Sequence, residues 1–345
     1  LYKKAAEREC VPLHYLDAKC VVRLVGSSID WEQMSIEVAR DALGENVPNW
    51  ESLGFGWIEI GGITLHGQDG NPKPRMFRAS SSLSLVNRMG FNNPGSIKVA
   101  SKLKQHFSRH GSPNIPLWAN LGKSKITPLD QAPGDYAATM DRLWGYCDTF
   151  VINVSSPNTP NLRDLPHDEA LDAIIAAWPE VHSRHSKSSK NSLKPLLIKI
   201  APDVTDEQLT AIVHTARSAG CDGIIATNTT VERPETFAKN EEKVFTQTGG
   251  LSGAPLSNRS TEVIHQIYSM TNGEWPIVGV GGILSADDAW EKIGAGATLL
   301  QAYSGFVFEG PGLTKNVVNG LHKKLQSSEF SSLDEAVGFA HRLNT

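Results

Sequence analysis

FVINVSSPNTPNLRDL, residues 150–165, opens as an apolar strand and turns abruptly into hydroxyl and carboxamide side chains broken by two prolines. The apolar half decides the fold. TFVINV (149–154) is rich in β-branched residues and does not alternate with polar ones, which is how a strand buried on both faces of a parallel sheet reads. The polar half raises the question of a site. Asn, Ser and Pro favour turns for local reasons, but in parallel α/β folds ligands bind where strands end.

Working outward, the same kind of run recurs as WIEIGGI (57–63), PLWANL (116–121), LLIKI (196–200), GIIAT (223–227), PIVGV (276–280) and TLLQA (298–302). Between them lie stretches with helical spacing, among them DYAATMDRLWGYC, DEALDAIIAAWPEVH, DEQLTAIVHTARSAG and SADDAWEKIGAG, several opening on Asp or Ser as N-caps. Strand and helix in alternation mean βαβ units, and their number points to a (β/α)8 barrel with a short N-terminal extension. The first barrel strand is the atypical one. Residues 27–43, SSIDWEQMSIEVARDAL, read as an amphipathic helix, and only VVRLV (21–25) is strand-like nearby. The expected division is an atypical segment 1–43 followed by the barrel, 44–345.

With 345 residues, 40% of them hydrophobic and 20% charged, the chain has apolar material for one large core. A formal net charge of −4 implies no polyanion partner, and the basic, serine-rich HSRHSKSSKNSLK (182–194) reads as a solvated loop rather than a nucleic-acid contact. The four cysteines lack CxxC spacing, which argues against a metal site and a disulfide framework. No apolar run is long enough to span a bilayer.

Strand after strand ends in small or polar residues: Gly61, Gly62 and Thr64; Asn120; Asn153; Thr227, Asn228 and Thr229; GVGG (279–282); and Tyr303, Ser304. Glycine-rich loops after the last two strands of such a barrel let backbone N–H groups approach a phosphate. Lys199 stands inside an apolar strand, which suggests an anionic ligand or an electron-rich ring.

FGWIEIGGITLHGQDGNPKPRMFR, NRMGFNN, ANLGKSK, INVSSPNTPNLR, LIKIAPD, ATNTT, TGGLSG and GVGGILSADDAWEKIGAGATLLQAYSGF, in that order, resemble the class 2 dihydroorotate dehydrogenases, quinone-linked flavoenzymes of pyrimidine synthesis. Serine at 156, where class 1 relatives carry cysteine, marks class 2. The resemblance implies an FMN-binding TIM barrel that oxidises dihydroorotate to orotate and passes the electrons to a membrane quinone. FMN phosphate would lie at Gly281, Gly282, Tyr303 and Ser304, with Ser252 and Gly253 nearby. Lys199 would face the flavin pyrimidine edge, and Gly62, Asn120, Asn153 and Thr227 would supply further flavin contacts. Asn87, Asn153, Asn158, Asn228 and Thr229 would hold the substrate, and Ser156 would take its C5 proton. Ser155 reads as a turn hydroxyl. Arg78 and Tyr303 match quinone-tunnel positions, Met76 could line the tunnel, and Arg75 and Arg78 read equally well as surface arginines. The family also implies peripheral contact, through an N-terminal region absent or altered here, with the inner mitochondrial membrane of a eukaryote or the cytoplasmic membrane of a bacterium.

One departure stands out. Where the family has a small-residue loop with a lysine that contacts the orotate carboxylate, this chain reads SIEVARDALG, with Ala42 near the lysine's position and Arg40 the close cation. Loss of such a charge-assisted contact costs on the order of 2–4 kcal/mol. Two further readings stay open: an impaired FMN-binding barrel of the same family, and a non-flavin phosphate-binding barrel in which Lys199 forms a Schiff base.

Overall fold

A computed structural model describes residues 20–25, 53–155, 169–186 and 194–342. Eight parallel strands close a barrel in the spatial order β1 (Cys20–Val25), β11 (Leu299–Ala302), β10 (Ile277–Val280), β8 (Gly223–Ala226), β7 (Leu196–Ile200), β6 (Thr149–Asn153), β5 (Leu117–Leu121) and β2 (Trp57–Ile63). The expected strands fall within a residue of these spans. One expectation needs correction. The boundary at 43/44 does not separate an appendage from the barrel, because β1 supplies the closing strand, pairing Val21–Val25 with Trp57–Gly61 and Cys20–Val22 with Leu300–Ala302. The valine-rich CVVRLV suits a pleated backbone, and a curled parallel sheet with a free edge on each side gains from a strand that closes it. The helix expected at 27–43 lies outside the described residues.

Strand alternation builds two layers inside the barrel. Trp57, Trp118, Val151, Leu197, Ile225, Val278 and Val280 form an apolar inner cluster, floored by Trp57 stacked on Trp118 at 3.9 Å between ring centroids. Two residues further along, the same strands carry Glu59, Asn120, Asn153, Lys199 and Gln301 inward, all fully buried. The residues of opposite parity, such as Ile58, Ala119, Ile152, Ile198 and Ile224, face outward into the core shared with the surrounding helices. Burial on both faces is why the strands read as unbroken apolar runs.

The longer helices among the described residues are α1 (Ser96–His110), α2 (Ala132–Leu143), α3 (Glu169–Ser186), α4 (Asp206–Ser218), α5 (Ser257–Thr271), α6 (Ala286–Ala295) and α7 (Leu313–Gln326). Capping boxes at Thr205 and Ser285 start α4 and α6. An antiparallel sheet, β3 (Met76–Ala79), β4 (Ser84–Asn87) and β9 (Gly250–Gly253), forms a unit separate from the barrel sheet. Glu241 ties its β3–β4 turn down by accepting hydrogen bonds from the Ser81 and Ser82 amides and the Ser82 hydroxyl.

Candidate active site

The carboxyl ends of the barrel strands open into a cleft with about 900 Å³ of empty space, counted out to its open mouth. Its floor carries Asn153, Lys199 and Gln301. Gly281, Gly282, Ser252, Gly253, Tyr303 and Ser304 line it on the side of the last two strands, and Thr227, Asn228, Thr229 and Asn87 also face it. Met76, Met89 and Phe91 close it with apolar surface.

The floor is one hydrogen-bonded network drawn from five strands. Asn120 Nδ2 donates to Glu59 Oε1 at 3.0 Å and Gln301 Nε2 to Glu59 Oε2 at 3.1 Å. Lys199 Nζ donates to Gln301 Oε1 at 2.9 Å and stands 3.8 Å from Glu59 Oε1. Asn153 Nδ2 donates to Asn120 Oδ1 at 3.0 Å, and its Oδ1 accepts from the Ser155 hydroxyl, also at 3.0 Å. Asn228 Nδ2 donates to Ser155 Oγ at 3.0 Å. From behind, the buried Tyr136 hydroxyl donates to the Asn153 carbonyl at 3.0 Å. Burial, reinforced by the Asp135 carboxylate, pushes the Tyr136 phenol far up, so it remains a neutral donor. A buried lysine and glutamate without such partners would be costly.

The glycine-rich side is shaped for close backbone approach. Gly281 and Gly282 have φ of +129° and +69°, and a Cβ on Gly282 would lie 2.5 Å from Ser257 Cβ and 2.8 Å from its backbone nitrogen. Ser304 Oγ donates to Ser252 Oγ at 2.8 Å, joining the ends of β9 and β11. Thr227 is 2% exposed and its Oγ1 has no hydrogen-bond partner among the described residues. A buried hydroxyl aligned with a cleft and left unsatisfied is a group waiting for a ligand.

Most residues singled out in the sequence therefore meet in one cleft. Asn120, Gly62, Arg78 and Arg75 are among those that do not line it. Asn120 lies beneath Asn153 in the network. The Cβ-free side of Gly62 is filled by the Phe91 ring, which a Cβ there would meet at 2.4 Å. Arg78 is exposed, with its guanidinium 4.5 Å from the Phe308 ring centroid. Arg75 is buried, not a surface arginine: its Nη1 donates to the carbonyls of Asp69 and Asn71, pinning the loop they form. Ser156 and Asn158, like Arg40 and Ala42, lie outside the described residues. Sequence reasoning missed Glu59, Gln301 and the place of Ser155 in the network, between Asn153 and Asn228; the signal for Glu59 was a carboxylate embedded in an apolar strand, needing a buried cation such as Lys199.

The profile of the dihydroorotate dehydrogenase family matches residues 39–325. The chain belongs to the dihydroorotate dehydrogenase family. It is 46% identical over 304 residues to the dihydroorotate dehydrogenase (quinone) of Synechococcus elongatus, covering 87% of this chain and 78% of that one. Identity to the enzyme of the same name from Gloeobacter violaceus is 44% over 326 residues, covering 94% and 87%. Among solved structures, the DHODH of Eimeria tenella in complex with ferulenol superposes with a TM-score of 0.78 at 35% identity, over 86% of this chain and 81% of that chain. Its ligand-free form gives 0.76 at 35% identity, over 84% and 83%. Family membership removes the Schiff-base reading of Lys199 and implies a flavin cofactor.

Proposed function

We propose that this chain is a quinone-linked dihydroorotate dehydrogenase that binds FMN in the cleft and converts dihydroorotate to orotate. The observation that carries the reading is the Thr227 hydroxyl, buried without a partner among the described residues, in a cleft that also holds a buried lysine and a glycine cradle. These residues fit a flavin mononucleotide: the backbone around Gly281 and Gly282, with Ser252, Gly253, Tyr303 and Ser304, would receive the phosphate, and Thr227 and Lys199 the ring's polar edge. When bound there, FMN would supply the two-electron acceptor chemistry between substrate and quinone.

The chain's own residues do the rest. Lys199 offers a fixed positive charge where negative charge accumulates during transfer. Asn87, Asn153, Asn158, Asn228 and Thr229 hold the substrate ring, and Ser156 accepts the C5 proton while hydride leaves C6. A serine hydroxyl is a weak base in water, so Ser156 needs a dry pocket and a relay. The apolar cover of Met76, Met89 and Phe91 supplies the dryness. Arg78 and Tyr303 are assigned to the quinone path by family position.

Quinone reduction calls for contact with a membrane. Among the described residues no helix is long and apolar enough to cross one, so the contact proposed is peripheral. The curated relatives named above are cyanobacterial, which favours a bacterial type of location; the mitochondrial alternative has no support from them. Nor do those relatives, named as dihydroorotate dehydrogenase (quinone), lend support to an impaired barrel.

Anaerobic titration with dihydroorotate tests the reading. Purified protein carrying FMN should bleach near 450 nm as the substrate is added, and Ser156→Ala should bleach on the order of a hundredfold or more slowly. A protein that takes up no flavin, or holds it and stays yellow, would overturn the proposal.

A further inference from the structure

Every donor in the cleft floor points, directly or through a neighbour, at one carboxylate. Glu59 is fully buried and its two oxygens accept from Asn120 and Gln301, with the Lys199 ammonium 3.8 Å away. A carboxylate can only accept. Asn120 and Gln301 must therefore turn their NH2 groups toward Glu59, which turns their carbonyls outward. Gln301 Oε1 then meets Lys199, and Asn120 Oδ1 meets the Asn153 NH2. That in turn leaves Asn153 Oδ1 to accept from Ser155, whose oxygen accepts from Asn228.

We propose that Glu59 is a positioning and charge-balancing residue: it sets the donor direction of the whole network and offsets the charge of Lys199. The inference rests on the flavin-binding reading above. One arm, through Gln301, fixes the ammonium offered to the flavin. The other, through Asn120, Asn153 and Ser155, fixes the face that Asn228 offers to the substrate.

Glu59→Gln is the informative change because it keeps shape and removes only charge and acceptor capacity. The new NH2 must face either Asn120 Nδ2 or Gln301 Nε2. If Gln301 flips in response, its NH2 confronts Lys199; if Asn120 flips, its NH2 confronts Asn153. A donor–donor clash reaches one end or the other, and Lys199 loses the carboxylate 3.8 Å from it in both cases.

The experiment compares wild type, E59Q and E59D as FMN-loaded proteins, reading the flavin midpoint potential and the dissociation constant of orotate from flavin absorbance. E59Q should shift the potential upward, since an unbalanced cation favours the reduced, more negative flavin, and should weaken orotate roughly tenfold. E59D, which keeps the charge, should stay closer to wild type on both. A space-filling role makes the opposite forecast: isosteric Gln would change neither quantity and the shorter Asp would be the worse substitution. Either part of that pattern would overturn the proposal. Where E59Q yields no holoenzyme, the double variant E59Q/K199M carries the test. Its melting temperature should recover toward wild type because the ammonium that faced the Glu59 carboxylate is gone; a value as low as that of E59Q alone would be equally fatal. Wild type that binds no FMN sinks the functional reading itself, whereas a working wild-type flavoprotein with an unmoved E59Q sinks only the role of Glu59.

Discussion

Thr227 separates binding from stability at a single atom. Its Oγ1 is buried without a partner among the described residues, and a desolvated hydroxyl left so burdens the apoprotein by about 1–3 kcal/mol. Thr227→Val keeps the shape and removes the hydroxyl. The apoprotein should melt at the same temperature or slightly higher, while FMN affinity, followed by quenching of flavin fluorescence, should fall about tenfold. Lower apoprotein stability would mean that the hydroxyl is satisfied without ligand. At Gly282 the forecast is blunter. With φ at +69° and Ser257 backbone in the way, Gly282→Ala must displace the cradle, and FMN retention through gel filtration should be lost. Residues such as Thr227 and Gly282 were legible in the sequence because strand-end position marks them. Glu59 and Gln301 were not, because each hides inside an apolar run, WIEIGGI or TLLQA, and their meaning depends on which strands become neighbours around the barrel.

Among the elements, a side-chain cap aids legibility without deciding it: α2, which has none, still reads as a helix from its spacing. The helices α4 and α6 begin with side-chain capping boxes and were readable; α1 and α5 begin after Gly95 and Leu256 with no side-chain cap and gave no start signal. The β3–β4 hairpin and β9 were likewise missed, since GGLSG reads as a loop and becomes a strand only by pairing with β4. On α6, Lys292 is fully buried, and its Nζ donates to the Ser257 carbonyl and Thr261 Oγ1 at 3.2 and 2.9 Å, tying α6 to α5. Burial lowers the Lys292 ammonium to about 8, against the partial opposition of Asp288 and Glu291. The unfolded chain therefore binds the proton more tightly, and stability should rise with pH between about 8 and the unperturbed lysine value, by roughly 3 kcal/mol in all. Thermal melts across that window check it: wild type should show the rise and Lys292→Met should lack it.

For the whole molecule, the apolar inner layer and the polar layer above it depend on a closed barrel, because only closure brings Gln301 on β11 beside Glu59 on β2. The strand that joins those two is β1, from a part of the chain with few other readable signals. Its ladder engages Trp57–Gly61 on one side and Leu300–Ala302 on the other. Removing residues 1–25 would turn β2 and β11 into free edges, each with unpaired backbone groups and apolar side chains, the condition that drives edge-to-edge aggregation. The truncated chain should collect in the insoluble fraction on expression, and any soluble portion should lack flavin absorbance, since the Glu59–Gln301 contact is lost with the closure. A soluble, yellow truncation that unfolds cooperatively at the full-length temperature would show that β2 and β11 hold their places without β1. The polar floor would then be organised by its own hydrogen bonds rather than by the closed sheet.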